Sequence, residues 1–89
     1  MKNIILDNVD LNYLLNSQLE KRIIANIEYG LIKDNFRISL QVEMDVIEKI
    51  LDYLSDELTK NGIDNKGEPN FEGLKLEALI DKFARVFYN

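Results

Sequence analysis

The chain has 89 residues, of which 46% are hydrophobic and 30% charged, and this composition predicts one small folded domain over residues 1–89. It contains no cysteine and no histidine, so the usual thiolate nucleophile, the usual general base and the commonest transition-metal ligands are missing. Sixteen acidic against eleven basic residues give a formal net charge of −5, a balance that disfavours direct binding to nucleic acid or to anionic lipid.

The first residues predict a short strand followed by a helix. Residues 2–6 are typical of a strand or a docked extended segment, and the polar residues after them favour a turn. Asp10 is predicted to cap the first helix. Its apolar face, with helical spacing, consists of Leu11, Leu14, Leu15 and Leu19.

Residues 20–32 fit either a helix or a strand. Ile23, Ile27 and Leu31 continue the helical face, but the same segment also alternates in the manner of a strand. The following run, residues 36–44, alternates strictly between apolar and polar side chains, which predicts a half-buried strand in need of a partner. We therefore predict a β-hairpin of residues 23–31 and 36–44 joined by residues 33–35, with an all-α helical bundle as the alternative.

Two amphipathic helices complete the predicted fold. Asp45, with Glu48 three residues later, is typical of an acidic capping box, and Gly62 suits a left-handed position after the helix. Asn70 is predicted to cap the last helix. Its inward residues are Leu76, Leu79, Ile80, Phe83, Val86 and Phe87. The predicted fold class is α+β: an N-terminal segment and helix, a β-hairpin and two amphipathic helices packed on one face of the sheet.

One face of the helix that follows Asp45 is acidic. Opposite its apolar stripe lie Asp45, Glu48, Asp52 and Asp56, with Glu43 directly before them. These carboxylates are typical of a solvated outer face, and the sharper hypothesis is a docking surface for a basic partner. Tyr53 borders this face and is the predicted interface aromatic. The four phenylalanines are assigned to the core: Phe36, Phe71, Phe83 and Phe87.

The absence of cysteine and histidine, which supply the usual catalytic groups, argues against an enzyme. We expect neither a metal nor a cofactor. No apolar run approaches the roughly 20 residues of a membrane span, and a cytoplasmic location is expected. Size and charge favour a small acidic protein-binding module. One form of it is a stoichiometric inhibitor of the immunity or anti-defence type that covers a basic protein. The alternative is a homo-oligomeric structural or assembly protein, such as a homodimer paired through an exposed strand edge.

Overall fold

A computed structural model describes residues 1–35 and 37–88 of the chain. The described residues form four helices and a three-stranded sheet, so the predicted α+β class is confirmed. In chain order the elements are β1 Lys2–Leu6, α1 Asn8–Leu15, α2 Lys21–Tyr29, β2 Leu31–Lys33, β3 Ile38–Val42, α3 Met44–Asn61 and α4 Phe71–Phe87.

The sheet is antiparallel, with strand order β1-β3-β2, so the strand predicted over residues 2–6 is confirmed. Side chains alternate across it, because successive residues of a strand point to opposite faces. The inner face, which packs against the helices, carries Ile4, Leu6, Ile38, Leu40 and Val42, all buried. The outer face is open to solvent, and Ile5 and Ile32 remain 50% and 49% exposed there.

All the helices contribute to the core beneath the sheet. Each supplies apolar residues at a spacing of three or four, so its buried side chains fall along one stripe. These residues are Leu11 and Leu14 of α1, Ile23 and Ile27 of α2, Val46, Ile47, Ile50 and Leu54 of α3, and Leu76, Leu79 and Phe83 of α4. Ile80, Val86 and Phe87 of α4 are partly buried against this core. α3 and α4 form the most extensive helix pair.

The strand predicted over residues 23–31 is wrong, and so is the all-α alternative. Residues 21–29 form α2, and the hairpin consists only of β2 and β3. Ile23 and Ile27, four residues apart, are both buried, whereas Tyr29 is 96% exposed, as a helical period requires. α2 turns directly into β2 at Gly30. A glycine is required there, because a Cβ at this position would lie 2.1 Å from the carbonyl oxygen of Gln41.

The first helix begins earlier and ends sooner than predicted. Asp7, and not Asp10, is its N-cap: the Asp10 backbone N–H donates to Asp7 Oδ1 at 2.7 Å, and the Asp7 N–H donates to Asp10 Oδ2 at 3.2 Å. Asp10 is therefore the second member of a capping box. α1 ends at Leu15, so Leu19 lies in the connection to α2, although it is buried.

Three further predictions for the C-terminal half are wrong. The N-cap of α3 is Glu43 and not Asp45, because the strand gives way to helix two residues earlier. Gly62 has a φ of −99°, so it is not left-handed, and it packs tightly against Gly73. Phe71 is 76% exposed instead of lying in the core. Phe36 lies outside the described residues.

The predicted cap of α4 and two of its predicted core phenylalanines are confirmed. Asn70 caps α4, since its Oδ1 accepts a hydrogen bond from the Gly73 N–H at 2.8 Å. Phe83 is fully buried and Phe87 partly so. Residues 64–69 form an exposed turn-rich loop, in which Gly67 has a φ of +80°.

Candidate protein-interaction site

The predicted acidic face of α3 is present, and we call Glu43, Asp45, Glu48, Asp52 and Asp56 the acidic ridge. All five side chains are exposed. The buried stripe of α3 lies on the opposite side of the helix, because each residue turns about 100° around the axis. Asp45, Glu48, Asp52 and Asp56 therefore share one solvent-facing side of α3 over about three turns, whereas Glu43 is the exposed N-cap and lies apart from this line.

The ridge carboxylates have no ion-pair partners among the described residues. The ion pairs of Lys82 and Arg85 use Asp7, Asp10 and Asp81 as acids, and none of these belongs to the ridge. Carboxylates one helical turn apart repel each other slightly, and Lys49 and Lys60 of the same helix offset this repulsion in part without forming an ion pair to the ridge. The ridge keeps an excess of negative charge, suited to attract a cation on a partner.

Tyr53 lies on the flank of α3 and not on the ridge. Its side chain is partly buried, and its hydroxyl oxygen accepts a hydrogen bond from the Gln18 backbone N–H at 2.9 Å. This contact holds the connection between α1 and α2 against α3. The structure therefore gives Tyr53 a structural role, and its predicted role at an interface stays a prediction.

Sequence reasoning missed an apolar groove between α1 and the N-terminal half of α4. The groove encloses a cavity of about 310 Å³. Two apolar side chains on it are strongly exposed, Val9 at 60% and Phe71 at 76%. The residues that line the apolar groove are Val9, Asp10 and Tyr13 of α1 and Phe71, Glu72, Lys75, Leu76 and Leu79 of α4.

Charged side chains tie the two walls of the apolar groove together. The Lys82 ammonium of α4 contacts the Asp10 carboxylate of α1 and lies 3.9 Å from that of Asp7. The hydrogen bond from the Asp10 N–H lowers the pKa of the Asp7 carboxyl; burial opposes this effect and the Lys82 charge adds to it. On the other wall, the Lys75 ammonium lies 5.0 Å from the centre of the Phe71 ring, a cation–π distance.

Tyr13 adds a hydroxyl to the polar groups that line the apolar groove. Burial raises the pKa of this hydroxyl to about 12, and the electrostatic interactions with Tyr53, Glu57 and Glu72 act in the same direction. At neutral pH the hydroxyl is protonated, as tyrosine ordinarily is, so it carries a hydrogen-bond donor. Glu57 and Glu72 lie close enough to act on this hydroxyl.

The position of Phe71 on α4 is the one feature of the sequence that could have indicated its exposure. At about 100° per residue, Phe71 lies about 120° around α4 from the buried Phe83, too far to share its face. The sequence does not show that α1 forms the second wall of the groove, because only the tertiary fold brings Val9 of α1 close to Phe71 of α4.

The described residues contain no cluster of acidic, cysteine or histidine side chains arranged to hold a metal ion. None of the helices in the described part of the chain has the length and apolar character to cross a bilayer. Comparisons with protein-family models, curated proteins and solved structures found no match to this chain.

Proposed function

We propose that the domain is a protein-binding module that acts by stoichiometric contact with a basic protein, as an inhibitor of the immunity or anti-defence type does. The observation that carries the proposal is the apolar groove, whose wall residues Val9 and Phe71 are exposed while carboxylates lie beside them. The acidic ridge on α3 is a second surface that fits the same partner.

Exposure of Val9 and Phe71 favours an occupant with an apolar side chain. A fully covered phenylalanine side chain is worth about 1.5–3 kcal/mol relative to an exposed one, so the groove gains free energy when it is filled. Its volume of about 310 Å³ suits one or two side chains of a protein segment. The protonated hydroxyl of Tyr13 adds a directional hydrogen bond to a carbonyl of that segment.

Charge favours a basic occupant. Glu72 lines the groove, and Glu57 of α3 acts on the Tyr13 hydroxyl. Of the two nearby ammonium groups, Lys82 is already paired with Asp10, and Lys75 lies over Phe71. Together with the net charge of −5, these carboxylates attract a cationic segment and increase its association rate, an effect that salt screens.

Two short synthetic peptides test the proposal, one with a central leucine flanked by lysines and one with the same leucine flanked by glutamates. We expect the lysine peptide to shift the backbone amide resonances of Val9, Tyr13 and Leu76 in a titration followed by NMR, and the glutamate peptide to leave them unchanged. Equal shifts with both peptides, or no shift of the groove amides with the lysine peptide, would overturn the proposal.

Variants with matched controls test whether the apolar groove and the acidic ridge each take part in binding. Phe71→Ser is expected to weaken binding of the lysine peptide at least tenfold, while Tyr88→Ser serves as the matched control, because Tyr88 is 78% exposed at the far end of α4. Reversal of Asp52 and Asp56 to lysine tests the acidic ridge: slower association with little change in stability supports a steering role, and an unchanged rate removes the ridge from the site.

A further inference from the structure

The strand β1 lies at an edge of the sheet with a neighbour on one side only. Its backbone pairs with β3, and among the described residues no backbone hydrogen bond joins it to any other segment. The other edge strand, β2, has only three residues and ends in Lys33, features that protect an edge from pairing. β1 has five residues, and residues 3–6 contain no charge, proline or bulge.

The hydrogen bonds of β3 show which groups of β1 face outward. The Gln41 N–H donates to the Gly30 carbonyl oxygen at 2.8 Å, so the backbone of Gln41 faces away from β1. In an antiparallel sheet successive residues face alternate sides, and Leu40 therefore faces β1 and bonds with its partner Ile4. It follows that the N–H and C=O groups of Asn3 and Ile5 face the free edge.

We propose that this edge pairs with β1 of a second copy of the chain, in an antiparallel register centred on Ile4. In this register Asn3 of each copy lies opposite Ile5 of the other, and each such pair exchanges two backbone hydrogen bonds. All four outward donors and acceptors of Asn3 and Ile5 are then used. Ile4 lies on the two-fold axis and faces its own copy, so the buried faces of the two sheets form one continuous surface.

Charge supports a second copy as the occupant. Lys2 and Asp7 flank the uncharged residues at opposite ends of β1, so an antiparallel copy brings each Lys2 to the end that carries Asp7 of the other. Each chain has a net charge of −5 and repels its copies in general, but at this edge the two charges are complementary. The pairing is independent of the apolar groove, since none of the groove residues belongs to β1.

Solution mass as a function of protein concentration is the first test. We expect sedimentation equilibrium to show a reversible dimer of the wild-type chain. Asn3→Pro removes an outward N–H that is unused in the monomer, and proline is tolerated at such edge positions, so we expect a folded monomer. Lys2→Glu is expected to weaken the dimer at least tenfold, whereas Lys33→Glu, the same charge change on β2, is expected to leave it unaffected.

Engineered cysteines test the register, because the chain has none of its own. Residues 3 and 5 of opposing strands would have Cα atoms about 5.5 Å apart, within disulfide range, whereas residues 5 and 5 would be two positions out of register and beyond it. On mild oxidation we expect a mixture of Asn3→Cys and Ile5→Cys chains to cross-link, and either variant alone to stay uncross-linked.

Two results would overturn the proposal. One is a wild-type chain that is monomeric up to millimolar concentration. The other is a dimer that Lys2→Glu does not weaken and that the mixed cysteines do not cross-link, which would place the contact on another surface. Lys2→Glu and the cysteine variants leave the backbone of β1 unchanged. They therefore test the pairing of β1 with a second copy even if Asn3→Pro fails to fold.

Discussion

The side-chain amide of Asn70 donates a hydrogen bond to the backbone carbonyl of Asn61 at 2.9 Å. The same side chain accepts a hydrogen bond from the Gly73 N–H at 2.8 Å, and the Asn70 backbone N–H donates to the Gly62 carbonyl at 2.8 Å. One asparagine thus satisfies a free carbonyl at the end of α3 and a free N–H at the start of α4. It thereby links the end of α3 to the start of α4.

Two substitutions separate these roles of Asn70. Asn70→Ala removes both side-chain bonds and is expected to lower the free energy of unfolding by about 2–3 kcal/mol. Asn70→Ser keeps an oxygen for the Gly73 N–H but cannot reach Asn61, so a loss of about 1 kcal/mol is expected. Urea denaturation measures both values. Asn65→Ala, in the exposed loop, is the control, and equal losses for the serine and alanine variants would contradict the double role.

Gly73 is required because α3 and α4 approach each other closely at this point. A Cβ on Gly73 would lie 2.0 Å from the carbonyl oxygen of Gly62, and a backbone atom cannot move aside as a side chain does. Glycine to alanine within a helix normally stabilises by about 1 kcal/mol, but Gly73→Ala is expected to destabilise by about 1–3 kcal/mol. Glu77→Ala, on the exposed side of α4, is the matched control and should change stability by less than about 0.5 kcal/mol.

The elements that sequence periodicity predicts well are those with a single consistent pattern. The alternation over residues 38–42 fits only a strand, and the apolar stripes of α3 and α4 fit only helices. The common face of Asp45, Glu48, Asp52 and Asp56 follows from the helical period alone. The pattern of residues 20–32 fits both a helix and a strand, because Ile23, Ile27 and Leu31, spaced four apart, share one face in either structure. Tertiary packing then decides between them: Tyr29 is exposed in the helix but would face inward with Ile23 in a strand.

The apolar groove and the strand edge depend on contacts between distant parts of the chain. Val9 and Phe71 line the same groove although they lie in the first and last helices, and no local pattern indicates that they meet. The hydrophobicity of Phe71 favoured a core position, whereas the first turn of α4 leaves its ring outside the helix contact. Similarly, a strand at residues 2–6 was predictable, but its edge position depends on the order β1-β3-β2.

Tyr53→Phe tests the structural role of this tyrosine without removing its ring. The variant loses the acceptor for the Gln18 N–H, and because Gln18 is exposed, water replaces part of that bond. We expect a loss of about 0.5–1 kcal/mol and faster hydrogen exchange at the Gln18 amide. Tyr88→Phe is the control. An unchanged exchange rate at Gln18 would show that the hydroxyl does not hold this connection.

Tyr13 is expected to make the fold sensitive to alkaline pH. Burial in the groove raises the pKa of its hydroxyl from 10.0 to about 12. Above the pKa of the unfolded chain, the unfolded state loses this proton while the folded state retains it, so the unfolded state is favoured as pH rises. The contribution of Tyr13 to stability is therefore complete below about pH 10 and is lost progressively between about pH 10 and 12.

Comparison of the wild type with Tyr13→Phe isolates this effect, because the lysines that titrate in the same range are common to both chains. Urea denaturation at neutral pH and at about pH 11 is expected to show a steeper loss of stability for the wild type. Tyr29→Phe is the matched control, since Tyr29 is 96% exposed and its removal should leave the slope unchanged. Parallel pH profiles for wild type and Tyr13→Phe would mean that the Tyr13 hydroxyl is not held protonated by the groove. The donor assigned to the proposed binding site does not depend on this result, because a tyrosine hydroxyl with an ordinary pKa is also protonated at neutral pH.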